Sequence, residues 1–202
     1  GRTMTAPTIA VAPPPSERRF FTGIAIAILV TVLVGFARSF YLRPLFPDHP
    51  SPSESFFYVH GAVFTAWILL LLTQASLVAA GRTDLHRRVG AFGVALAILM
   101  LVLGAYAALV AATRPNGFVG VPIPPLQFLV VPLCDMVLFG TFVALAVAMR
   151  RDPQSHKRLM LLATINLLTA AIARWPGVLQ AGPLAFFGLT DLFIIALSVW
   201  DF

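Results

Sequence analysis

The chain has 202 residues, 59% of them hydrophobic and only 11% charged, whereas a soluble domain usually carries roughly 25% charged residues. So much apolar side chain exceeds what the interior of a soluble fold of this size can hide, and the composition points instead to one domain embedded in lipid. The net charge of +6 would suggest nucleic acid in a soluble protein, but the arginines stand at the ends of apolar runs and read as topology signals, so no nucleic-acid partner is expected.

Residues 1–19 include Pro7, Pro13, Pro14 and Pro15 and few bulky apolar groups. They cannot bury enough surface to offset their ordering entropy, and a disordered cytoplasmic tail is expected. Gly1, Arg2 and Thr3 precede the first methionine, Met4, as vector-derived residues or an upstream start codon would leave them.

Crossing the hydrocarbon core takes roughly 20 apolar residues at about 1.5 Å each. The runs that qualify are about 20–37, 56–80, 90–113, 127–149, 158–175 and 185–200, which predicts an all-α, polytopic transmembrane bundle of about six helices over residues 20–202. The first run follows Arg18 and Arg19 as in a signal peptide, but its length and the lack of a small-x-small cleavage pattern make it a retained anchor. The outer connections, 38–55 and 114–126, are rich in proline and are expected to be extended rather than helical. The sixth run stops at Trp200, Asp201 and Phe202 without a basic flank, so the natural chain is expected to continue, with a seventh helix as one continuation.

Ten of the fourteen basic residues, Arg2, Arg18, Arg19, Arg82, Arg87, Arg88, Arg150, Arg151, Lys157 and Arg158, fall on one side of the alternating crossings. Short loops rich in Lys and Arg stay in the cytoplasm. Both termini of the chain are therefore expected there, in a bacterial inner (plasma) membrane. Arg82, Arg87, Arg88, Arg150, Arg151, Lys157 and Arg158 would grip anionic lipid headgroups.

Ionisable groups inside a span are costly, so each is a functional candidate. Counted from the outer ends of their helices, His60, Asp135, Arg174 and Asp191 all lie in the outer half of the bilayer. Brought together, two carboxylates, one guanidinium and one imidazole would nearly neutralise each other and line a polar ligand pocket or a proton pathway. A buried Asp–Arg or Asp–His pair that merely holds helices together accounts for the same residues.

His60, Phe64, Trp67, Leu71 and Gln74 recur at spacings of four and three and share one helix face, expected to point inward, with Trp67 lining the pocket. Pro132 precedes Asp135 by one helical turn and frees a carbonyl there. Asn166 reads as an interhelical hydrogen bond, and Gly61, Gly90, Gly93 and Gly104 as close helix contacts. The single cysteine, Cys134, allows neither an internal disulfide nor a cysteine metal site.

The four histidines split two and two, His49 and His60 outside, His86 and His156 inside. Paired axial imidazoles at each face would hold b-type haem, while a metal at His86 and His156 would need further ligands such as Asp84 and Asp152. Enzyme signatures are missing: there is no phosphate-cradling glycine loop, nucleophile elbow or His-Glu-x-x-His helix.

The order His60, then Leu85-His86-Arg87-Arg88-Val89-Gly90, then His156-Lys157-Arg158-Leu159-Met160, then Arg174 resembles a bacterial family of uncharacterised predicted integral membrane proteins. Its layout is distantly similar to cytochrome b561-type bundles. The resemblance covers residues 60 to 174; where the family tends to carry Trp before the methionine, this chain has Leu159. It implies a helical bundle with functional polar residues at His60, His86, His156 and Arg174, and no particular reaction. The expected function is a non-enzymatic binding or accessory subunit that packs against lipid, pigment, a larger membrane complex or copies of itself. A b-type haem electron carrier and a proton- or solute-coupled transporter are the alternatives.

Overall fold

A computed structural model describes residues 14–52, 54–115, 117–118 and 120–201. Its first helix, α1 (Pro15–Gly35), starts on Pro15, whose missing N–H costs nothing in a first turn. Residues 15–19 thus belong to a helix rather than to the expected tail, and residues 1–13 lie outside the described residues.

The link to α2 (Phe56–Ala79) is not wholly extended, as its prolines had implied, but carries a π-helical turn, Ala37–Tyr41, and a 3-10 turn, Arg43–Leu45. Side chains wind it onto α2. The Tyr41 hydroxyl lies 2.7 Å from Thr65 Oγ1, and the Phe40 ring occupies the space that a side chain at Gly61 would need.

α3 (Thr83–Thr113) has 31 residues, about 46 Å of helix against a hydrocarbon core of about 30 Å. Its basic first turns project past that core, so His86 sits within the helix rather than ahead of it. α4 (Pro125–Ala148) follows a short irregular connection.

The fifth crossing, expected as one helix, is two: α5 (Pro153–Asn166) and α6 (Leu168–Ile172). Asp152 caps α5 by accepting from the N–H groups of Gln154 and Ser155. At the break the Leu167 N–H bonds to the Thr164 carbonyl, 3.1 Å away, in a tighter turn. α7 (Pro183–Asp201) closes the described chain.

Among the described residues five helices, α1, α2, α3, α4 and α7, rather than the expected six, are long and apolar enough to cross a membrane, because the α5–α6 stretch is broken into two shorter pieces. The α5–α6 tandem runs beside them from end to end. One end is tied by Lys157 Nζ to Glu17 Oε1, 2.5 Å, by Arg158 to both Asp201 carboxylate oxygens, 2.5 and 2.6 Å, and by Arg18 to the Ala79 carbonyl. The far end is tied by Arg114 to both carboxylate oxygens of Glu54, 2.7 and 2.8 Å, and by Trp175 Nε1 to the Thr31 carbonyl. The core gathers around the tandem. Ile28, Trp67, Met100 and Phe139 from α1 to α4 close on Ala163, Ile165, Leu168 and Ile172, all essentially without exposed surface.

Candidate functional sites

The stripe on α2 faces inward. Trp67 is buried, donates from Nε1 to Thr164 Oγ1 at 3.1 Å and meets Phe139 edge to face at 5.1 Å. Phe64 and Leu71 pack on the same core. The two polar ends of the stripe, His60 and Gln74, reach different ends of the bundle.

At the far end the His60 ring lies 4.2 Å from Phe64, centre to centre, with Phe56 and Phe57 around it. Its Nδ1 is buried and has no hydrogen-bond partner among the described residues. The Leu103 carbonyl is close by, and the Arg174 charge lies within electrostatic reach. Arg174, exposed just beyond α6, donates to the Ala170 carbonyl at 2.5 Å and stands 4.7 Å above the Phe36 ring.

The two carboxylates stand elsewhere. Asp135 is half-buried on α4, where no charged neighbour among the described residues acts on its carboxyl group. Its backbone carbonyl accepts from Asn166 Nδ2 at 2.9 Å, which ties α4 to α5. Asp191 is exposed on α7, on the side of Leu184, Ile195 and Val199 and away from the buried Thr190 and Leu197. His60 and Arg174 are thus within reach of each other, while Asp135 and Asp191 have separate surroundings.

At the basic end His86 from α3 and His156 from α5 meet. Their ring centres are 6.2 Å apart and their planes perpendicular. His156 Nδ1 lies 2.8 Å from the Ala146 carbonyl. A carbonyl only accepts, so that nitrogen carries the proton and the neutral ring keeps its lone pair on Nε2. His86 Nδ1 and Gln74 Oε1 are both buried and have no hydrogen-bond partner among the described residues, and the ring of His86 stands beside the Gln74 backbone.

The basic residues around this pair divide into two kinds. Lys157 and Arg158 are held by Glu17 and Asp201, whereas Arg82, Arg87, Arg88, Arg150 and Arg151 are exposed around the rim. The sequence holds no local sign of this division, because the acidic partners lie 140 and 43 residues away. The Glu54–Arg114 fork, 60 residues apart, is hidden in the same way.

His49 Nδ1 is 3.4 Å from Ser51 Oγ in its loop. Among the described residues, no group of three or more His, Cys, Asp or Glu side chains gathers as a metal would require, and Cys134 is exposed. No protein-family model matches the chain, and neither a curated protein nor a solved structure matches it.

Proposed function

We propose that this chain is a non-enzymatic accessory subunit of a larger assembly in a bacterial inner membrane, with its basic end in the cytoplasm. The observation that carries the reading is Asp191. It lies eight residues into α7, about 12 Å from the helix start, on a face where Leu184 is 91% and Val199 69% exposed. A carboxylate turned to hydrocarbon costs about 2.5–3.5 kcal/mol on insertion scales, so such groups normally face protein or a water-filled cavity. The outward face of α3, with Phe92, Ile98 and Val102, carries no charge along these residues and suits lipid. The α7 face asks instead for a protein neighbour with a hydrogen-bond donor at matching depth.

Native electrophoresis of mildly solubilised membranes tests this. The wild-type chain should migrate in a particle larger than a monomer, and Asp191→Leu should release the monomer while leaving helix content unchanged. A monomeric wild type, or a large particle that survives Asp191→Leu, overturns the proposal.

A second reading, a b-type haem carrier, is favoured by the histidine pair at the basic end. With metal–nitrogen bonds of about 2 Å, two imidazoles on opposite sides of one metal put their ring centres about 6 Å apart, close to the 6.2 Å between His86 and His156. With Nδ1 of His156 on the Ala146 carbonyl, its Nε2 would be free to help hold a haem together with His86, and the exposed Arg87 and Arg88 would offer charge to its carboxylates. A bound haem would supply one-electron chemistry. The outer histidines give no comparable ring pair: His60 packs among phenylalanines. Protein expressed with haem supplied should show a sharp visible band on reduction that His86→Ala and His156→Ala each abolish; a colourless wild type overturns this reading.

A further inference from the structure

α1 packs on α2 and α6 but parts from α7, and the gap is an open groove of about 400 Å³ lined by Phe20, Gly23, Ala27, Phe193 and Ala196 with Arg19 at its basic end. Its floor is made of small residues. Nothing lies within 4 Å of where a side chain at Gly23 would begin. From Arg19 to Ala27 the groove follows eight residues of α1, about 12 Å. Phe20 stacks on Trp200, with ring centres 4.5 Å apart and planes 8° from parallel, and so walls the basic end with aromatic rings. Such rings belong at the level of lipid headgroups.

The two arginines at this end behave differently. Arg18 is turned inward to the Ala79 carbonyl. Arg19 is exposed and forms no ion pair or hydrogen bond with any described residue, although acidic side chains are near enough to hold Lys157 and Arg158.

We propose that this groove is a binding site for one anionic phospholipid, with the phosphodiester on Arg19 and an acyl chain along Gly23, Ala27 and Ala196. Charge complementarity selects the occupant. The groove is apolar along its length and cationic at the one end that lies at headgroup depth, which is the pattern of an anionic lipid and not of an apolar partner helix. Leu192, which also lines the groove, lies beside Val199, so the groove borders the face proposed to meet a protein, while Ala196 is about 140° around α7 from Asp191.

The test uses the full chain in nanodiscs of equal parts phosphatidylglycerol and phosphatidylcholine, extracted into mild detergent, with the retained lipid identified by native mass spectrometry. The wild type should keep phosphatidylglycerol over phosphatidylcholine by about fivefold, as one arginine at an anionic surface would give. Arg19→Gln should abolish the preference, and Gly23→Leu should remove the retained lipid of either kind. Ala27→Leu provides a second filling variant, and each variant is scored only if its thermal midpoint is within a few degrees of wild type. If phosphatidylglycerol preference is unchanged in Arg19→Gln, or lipid is retained in both filled variants, the site is overturned. So is it if a cysteine at Ala196 in a Cys134→Ser background crosslinks to protein. Particle size plays no part in this readout.

Discussion

Two glycines show how unequal apparently similar close contacts are. A methyl group on Gly35 would run into the backbone of Ala171, whereas one on Gly104 would meet the sulfur of Met136. Backbone cannot step aside without parting α1 from α6, but a thioether can change rotamer. Gly35→Ala should therefore cost about 1–3 kcal/mol of overpacking, more than the helix-propensity gain of up to about 1 kcal/mol returns. Gly104→Ala should be close to neutral. Reversible unfolding in mixed detergent checks both, and equal effects would sink the distinction. Position along a helix can be counted from a fixed rise per residue. Direction around the helix was legible where a stripe recurs, as for Trp67, which faces in as expected, but not for the isolated Asp191, which faces out.

Among the elements, α5 begins with the most explicit local signal. The hydroxyl of Ser155, 2.5 Å from Asp152 Oδ2, together with the Ser155 and Gln154 N–H groups, holds the Asp152 carboxyl group below the usual carboxylate range. A value depressed by folding means that the cap stabilises fully above the ordinary range of a free carboxylate. It is lost as pH falls through the lowered value. The wild type should thus have a higher thermal midpoint than Asp152→Asn at neutral pH, and the difference should shrink toward about pH 3; a constant difference would show that charge is irrelevant to the cap. Hydropathy located the lipid-crossing parts of α1 and α3 but missed their true starts at Pro15 and Thr83, because turns outside the lipid need not be apolar. The break at Leu167 was illegible because Leu167 and Leu168 carry the apolar run straight through it, whereas the expected interhelical hydrogen bond of Asn166 is found, its amide donating across to α4.

For the whole molecule, an all-helical bundle with several apolar spans was legible from hydropathy, but among the described residues five helices, not the expected six, are long and apolar enough to cross a membrane. Which crossing neighbours which was not legible, and the ion pairs that settle it join residues far apart in the chain. Lys157–Glu17 and Arg158–Asp201 leave on the rim of the basic end arginines that form no ion pair among the described residues, so the surface charge is more concentrated than composition implies. The α7 side proposed to meet a protein and the groove proposed for a lipid are centred on different residues, Asp191 and Gly23, and are tested by different substitutions.

The interrupted fifth crossing also bears on how the bundle is made. α5 has 14 residues and α6 five, each too short to partition into a bilayer by itself, yet together they supply the centre around which the other helices close. Insertion of this stretch is therefore expected to draw on neighbouring helices, above all α4, to which Asn166 is tied.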